Sequence, residues 1–168
     1  MFILYQFLLT LLLILSPLII CFRVLKKKED KKRFKEKFCL PSKKRTTGNL
    51  IWFHCSSVGE LLSILSLVKK IEKNKSINQI LITTSTLSSA QIFKNFNFKK
   101  TIHQFFPIDS IFFSYKFLNY WRPTIAIFVE SEIWPCIFKV LREKNIPLKL
   151  LNARITKKTF KKWKRVKK

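Results

Sequence analysis

From Leu50 to Ala153 short, unbroken apolar runs alternate with segments whose apolar residues recur every three or four positions. The unbroken runs predict strands over 50–55, 77–83, 101–106, 124–130 and 147–153. The periodic segments predict helices between them. One covers 60–73, where Leu61, Leu62, Leu65, Val68 and Ile71 share a face at helical spacing. A second runs from a Ser85 or Thr86 cap to Phe96, a third opens at Pro107 and Asp109 and ends at Trp121, and a fourth covers 132–144. Strands that are apolar on both sides, separated by helices, predict an α/β Rossmann-like parallel sheet covered on both faces.

The pattern differs outside this body. Residues 1–22 carry no charged side chain, and about 20 apolar residues suffice to cross the hydrocarbon core of a bilayer. Pro17 is tolerable in a spanning helix. A cleaved signal peptide is the competing reading, but no basic residue precedes the run and no small-residue cleavage site follows it. A retained membrane-anchor helix is therefore expected. Residues 23–38, "RVLKKKEDKKRFKEKF", follow directly, and such a basic flank stays on the cytoplasmic side. Residues 41–49, "PSKKRTTGN", read as a polar linker. The expected organisation is a transmembrane anchor (1–22), a basic juxtamembrane segment and linker (23–49), the sheet domain (50–156) and a basic segment (157–168). The last begins like an amphipathic helix and stops, so the chain reads as interrupted.

Charge narrows the partners. Lys and Arg number 34 against 9 Asp and Glu, a formal net charge of +25. Nucleic acid and an anionic membrane surface both fit that balance. Much of the charge flanks the apolar segment, where each basic residue near a bilayer surface contributes about 1 kcal/mol. No stacking motif or recognition helix supports nucleic acid. The four cysteines and two histidines are scattered, without the spacing of a zinc site.

In a parallel sheet, ligands bind beyond the carboxyl ends of the strands. The polar groups expected there are the loop "SSVGE" (56–60), "TST" (84–86), Asp109, "ESE" (130–132), and Asn152 with Arg154. Glu60 follows a strand and a Gly-containing turn and opens a helix. A carboxylate there is ordinarily a favourable partner of the helix dipole, worth about 0.3–1 kcal/mol. It is also placed to act as a general base. Ser56, Ser57 and Gly59 shape the loop, but "CSSVGE" is not the G-x-S-x-G nucleophile elbow, and neither histidine is an evident triad partner. The loop lacks the lysine and glycines of a P-loop, and two glycines in the whole chain leave no dinucleotide fingerprint. In "ESEIWP" (130–135), Ser131 can cap the fourth helix with Glu132 in its first turn; alternatively the two glutamates bind sugar hydroxyls or orient basic groups.

"WFHCSSVGE", "TTSTLSSAQ", "FFPID", "WRPTIAIFVESEIWP" and "IPLKLLNARIT" resemble, in order and spacing, the N-terminal half of the bacterial 3-deoxy-D-manno-octulosonic acid (Kdo) transferases. The resemblance covers nearly the whole chain. It implies the N-terminal, acceptor-binding domain of a two-domain GT-B glycosyltransferase, acting on CMP-Kdo and a lipid A precursor at the cytoplasmic face of the inner membrane. It further implies Glu60 as the general base, Glu130 and Glu132 as functional carboxylates, Arg154 as a cation near phosphate or carboxylate groups, and no metal or resident cofactor. Family members are more than twice as long, so a fragment or a truncated gene is expected, with a separate chain as an alternative source of the C-terminal domain. The second expectation, from another class, is a non-catalytic, membrane-anchored lipid-binding remnant.

Overall fold

The structure is a computed structural model that describes residues 29–130 and 133–153, with Ser16, Ile19, Phe22, Arg23, Leu25 and Lys26. The expected anchor over 1–22, and the expectations for Ser131, Glu132, Arg154 and 157–168, lie wholly or mainly outside these residues. Among the described residues no helix is long and apolar enough to cross a membrane.

Five strands form one sheet in the order β3-β2-β1-β4-β5: Leu50–Cys55 (β1), Gln79–Thr84 (β2), Thr101–Phe105 (β3), Ile125–Val129 (β4) and Leu148–Leu151 (β5). All pairings are parallel. Four helices connect them: Val58–Glu72 (α1), Leu87–Phe93 (α2), Ile111–Trp121 (α3) and Pro135–Glu143 (α4). The α/β reading with a parallel sheet therefore holds. The direction of strand addition reverses after β3, so β1 and β4 become neighbours whose connections leave in opposite directions. This is the topological switch point of the sheet.

Successive strand residues face opposite sides, and the two layers of core divide accordingly. Phe53, Cys55, Ile80, Ile82 and Val129 pack with Leu61, Ile64, Leu65 and Val68 of α1. Leu50, Trp52, Leu81, Ala126 and Phe128 pack with Phe117, Leu118 and Trp121 of α3 and Ile137, Val140 and Leu141 of α4. Each fully buried large apolar side chain contributes about 1.5–3 kcal/mol. Leu62, expected on the buried face of the first helix, is instead 47% exposed, and Ile64 takes its place.

Helix boundaries depart from expectation for identifiable reasons. Helix α2 stops at Phe93 rather than Phe96 because Lys94, Asn95 and Phe96 donate to carbonyls three residues back, as in a 3₁₀ turn. Helix α3 starts at Ile111, capped by Ser110, rather than at Pro107. The fourth helix, expected from 132 with Ser131 as cap, begins at Pro135, whose fixed φ and missing N–H suit a first helical position. Its open N–H groups are met from elsewhere: Asp109 accepts from Cys136 N at 3.1 Å and Ile137 N at 2.9 Å.

The segment read as juxtamembrane and linker carries contacts to the sheet. A 3₁₀ turn, Phe34–Phe38, lies against β3. Glu36 is buried there. It accepts from Arg33 Nε at 2.7 Å, Arg33 Nη2 at 2.9 Å and Phe105 N at 2.7 Å. Arg33 Nη2 also donates to His103 Nδ1 at 2.8 Å and to the His103 carbonyl at 3.0 Å. Further along, Thr46 N donates to Gln79 Oε1, and Gln79 Nε2 donates to the Lys44 carbonyl.

Candidate active site

Strand β1 delivers the chain to the switch point at Cys55, and Ser57 then turns it into α1. Ser57 adopts extended φ and ψ as N-cap, and its Oγ accepts from Glu60 N at 3.2 Å. Glu60, three residues into the helix, reaches back. Its Oε1 accepts from the Ser57 hydroxyl at 2.9 Å, and its Oε2 accepts from Ser56 N at 2.8 Å. This is the reciprocal logic of a capping box, with the carboxylate reaching one residue further back than usual. The glutamate is 7% exposed, so its carboxylate is held between the loop and the first turn of α1. Gly59 is exposed, and a Cβ placed there would meet only the Ser57 hydroxyl, at 3.9 Å. The fold does not require glycine at this position. Its absence of a side chain leaves the surface above the first turn clear.

On the other side of the switch point β4 ends at Val129, and the next residue, Glu130, is exposed and takes a left-handed φ of 60°. Its N–H donates to the Leu151 carbonyl at 2.8 Å, tying the turn to β5. An L-residue in that region costs roughly 1–2 kcal/mol. Since His54 pairs with Phe128, Ser56 and Glu130 each lie two residues beyond the last paired positions of neighbouring strands. The structure thus places Ser56, Ser57, Gly59, Glu60 and Glu130 just beyond the carboxyl ends of the neighbouring strands β1 and β4. Glu132 and Arg154 lie outside the described residues. Asp109, expected among the ligand-facing polar groups, is buried as the cap of α4.

Beneath the Ser56–Glu60 loop lies a polar chain that sequence reasoning passed over. His54 is fully buried, stacked on Phe106 with ring centroids 3.9 Å apart. Its Nδ1 is 3.0 Å from Thr83 Oγ1, and its Nε2 is 3.4 Å from Ser56 Oγ. Trp52 Nε1 donates to the same Thr83 hydroxyl at 2.9 Å. Burial holds the His54 pKa down at about 3, against a partial opposing effect of its hydrogen bond at Thr83, so the ring is neutral at physiological pH. A neutral ring has one donor and one acceptor nitrogen, so it links Thr83 to Ser56 without adding charge beneath Glu60. Trp134 packs against both His54 and Phe106, and its indole N–H is buried with no hydrogen-bond partner among the described residues. The signals in sequence were slight: a histidine within an apolar strand and a threonine pair at the end of the next one.

Cys39, Cys55 and Cys136 are buried thiols outside any disulfide. Burial raises the Cys39 pKa to about 12, and burial followed by the charge of Glu60 raises that of Cys55. Among the described residues no cluster of three His, Cys, Asp or Glu side chains is arranged to hold a metal ion. What this edge of the sheet offers is a carboxylate held by the Ser57 hydroxyl and the Ser56 N–H, with a second, exposed carboxylate at the end of the neighbouring strand.

A protein-family model described as 3-deoxy-D-manno-octulosonic-acid transferase (kdotransferase) matches residues 32–168. The chain belongs to this Kdo transferase family. It is similar to the 3-deoxy-D-manno-octulosonic acid transferase of Rickettsia bellii, with 42% identity over 163 residues, covering 96% of this chain and 38% of that protein. The probable mitochondrial Kdo transferase of Arabidopsis thaliana is 39% identical over 151 residues, covering 88% of this chain and 34% of that protein. The Haemophilus influenzae Kdo transferase is 29% identical over 168 residues, covering 94% of this chain and 38% of that protein. The chain therefore corresponds to between 34% and 38% of the length of these glycosyltransferases.

Proposed function

We propose that these residues form the acceptor-binding half of a GT-B Kdo transferase that moves Kdo from CMP-Kdo onto a lipid A precursor. The supporting observation is the placement of Glu60 and Glu130 on either side of the β1/β4 switch point. In this reading Glu60 takes the proton from the acceptor hydroxyl as its oxygen attacks the anomeric carbon of Kdo. The bond from that carbon to the CMP phosphate oxygen breaks, CMP departs with the electron pair, and the configuration inverts. Ser56 and Ser57 orient the carboxylate, Gly59 leaves room for the acceptor, and Glu130 and Glu132 hold its hydroxyls. Arg154 supplies a cation for phosphate or carboxylate. The donor is held by residues outside these 168, in the rest of the protein or in a separate chain. Residues 1–22 tether the domain to the inner membrane with the basic flank in the cytoplasm.

The experiment is Glu60→Gln in a form that carries the donor-binding half, assayed with CMP-Kdo and lipid A precursor. Loss of a general base lowers turnover about 10²–10⁴-fold. Normal transfer by the Gln variant removes the base assignment, and turnover by the isolated 168 residues removes the division into halves. The capping geometry of Glu60 favours a second reading, a lipid-binding module without catalysis. That reading expects lipid binding and no transfer from either the wild type or the Glu60→Gln variant.

A further inference from the structure

A basic and aromatic strip runs along the outer edge of the sheet, two strands away from the switch point. At the amino end of β3 the loop "FKNFNFKK" (93–100) meets the last turn of α1. Two open cavities of about 750 and 560 Å³ share Phe96, Phe98 and Lys99. Lys69 and Lys73 line the first, and Lys94 lines the second. All four lysines Lys69, Lys73, Lys94 and Lys99 are exposed, whereas both phenylalanines are half-buried. The phenylalanine rings lie 6.0 Å apart, and the Lys69 ammonium is 5.9 Å from the Phe96 ring. The nearby carboxylates are engaged. Glu72 accepts from Lys100 N, Thr101 N and the Thr101 hydroxyl, and Asp30 accepts from Lys32 N and Arg33 N.

We propose that this strip is the face on which the folded domain rests against an anionic lipid surface, a contact additional to the apolar N-terminus. The proposal rests on the tethered reading given above and adds the place of contact. Two observations favour lipid. First, the strip is continuous with the tether: Arg33 and Lys43 line the second cavity, and the segment leading back to residues 1–22 is bound to β3 through Arg33 and Glu36. Second, the chemistry is that of an interfacial contact, with ammonium groups at phosphate level and short apolar rings between them. A single-stranded nucleic acid needs open aromatic faces for stacking, and Phe96 and Phe98 are turned partly inward.

The full 168-residue chain is tested by co-sedimentation with phosphatidylcholine vesicles, with and without phosphatidylglycerol. The apolar N-terminus supports binding to both, so the quantity read is the gain that phosphatidylglycerol brings. Replacing Lys69, Lys73, Lys94 and Lys99 together by Gln is expected to cut that gain by about 100- to 1,000-fold. Replacing Lys116, Lys139, Arg142 and Lys149 by Gln, on α3, α4 and β5, is expected to leave most of it. An unchanged gain in the first variant, or an equal loss in the second, overturns the proposal. So does an intact vesicle gain accompanied by lost binding of an oligouridylate. Should the first variant fail to fold, an environment-sensitive label on Asn97→Cys in a Cys21→Ser background keeps the lysines. Its emission is expected to shift to the blue with phosphatidylglycerol vesicles, and no shift on any vesicle overturns the proposal. Neither readout involves Kdo, so a failed Glu60 assignment leaves this test standing.

Discussion

Two buried glutamates mark two regions of the sheet that solve the same problem in different ways. Glu36, beside the edge strand β3, joins parts of the chain far apart in sequence: its carboxylate holds Arg33 and the N–H of Phe105, 69 residues away. Glu60, at the switch point, has hydrogen bonds to Ser56 and Ser57, no more than four residues away. The first carboxylate secures the N-terminal segment to the body. The second organises a loop that the strand and helix already place. A carboxylate that orders its own loop is less needed for the fold, and at the switch point it is the group proposed above to take the acceptor's proton. The contrast separates stability from catalysis in a way that substitutions can check.

The largest effect on stability is expected at Glu36. Glu36→Ala removes the carboxylate from the part-buried Arg33 guanidinium, which keeps only its His103 contacts, and leaves the buried Phe105 N–H without its acceptor; breaking such a pair costs about 3–5 kcal/mol. Glu60→Gln keeps an oxygen acceptor in the loop and is expected to cost no more than about 1 kcal/mol, the scale of a helix-capping interaction. Urea denaturation of both variants measures the difference. Equal losses, or a larger one at Glu60, break the comparison.

Each region also buries a histidine, which makes the second prediction one of pH. His103 sits with Arg33 and Glu36, and His54 lies under the Glu60 loop. Burial holds both at about 3, and at His103 the positive charges of Arg33 and Lys94 add to it. The unfolded chain protonates near the ordinary histidine value of about 6.5. Between these limits the unfolded state binds more protons, so stability is complete above about pH 6.5 and falls as the pH is lowered toward about 3. The slope approaches about 1.4 kcal/mol per pH unit for each histidine. Stability measured from about pH 7 to 5 is expected to show it, with His54→Gln and His103→Gln each removing one share. A flat profile in the wild type contradicts the neutral, buried state of both rings.

A third, smaller effect is expected at Asp109. Asp109→Ala leaves the Cys136 and Ile137 N–H groups of α4 unmet and is expected to cost about 1–2 kcal/mol, as for loss of a helix cap. Asp109→Asn retains one acceptor and is expected to lose less. Thermal unfolding ranks the two.

Asp109 also shows where sequence reading stops. Ser57, Thr86 and Ser110 cap their helices from immediately before the first turn, and of these the sequence reading used the cap of α2, taking α1 from its apolar face and α3 from Pro107 and Asp109. The cap of α4 comes from a residue 27 positions away, and no local pattern points to it. Ser131 was the natural candidate only because it stood nearby. Glu36 was hidden for the same reason: among so many lysines, 23–38 reads as a basic juxtamembrane segment, and only the fold puts Phe105 N against it. The strands were legible to within two residues because β1 to β4 are largely buried, and an unbroken apolar run reports that directly. The convergence of Glu60 and Glu130 followed from strand polarity, since parallel strands end on one edge. The Thr83–His54–Ser56 chain did not follow, because it depends on side chains of adjacent strands facing the same layer.

The smallest expected effect bears most directly on the Glu60 region. Gly59 has no left-handed φ to satisfy and no close neighbour that a methyl group would strike. By fold alone alanine is the better residue within α1, and Gly59→Ala is expected to raise stability by about 0.5–1 kcal/mol. If the clear surface above the first turn admits an acceptor, the same methyl group obstructs it. In a form that carries the donor-binding half, the variant is then expected to be more stable and slower, with the loss appearing in KM for the acceptor rather than in KM for the donor. Thermal unfolding and transfer kinetics on one preparation test both halves. A variant that gains stability and transfers as before would leave Gly59 without a functional reason, and the approach to Glu60 would have to lie on another side of the carboxylate.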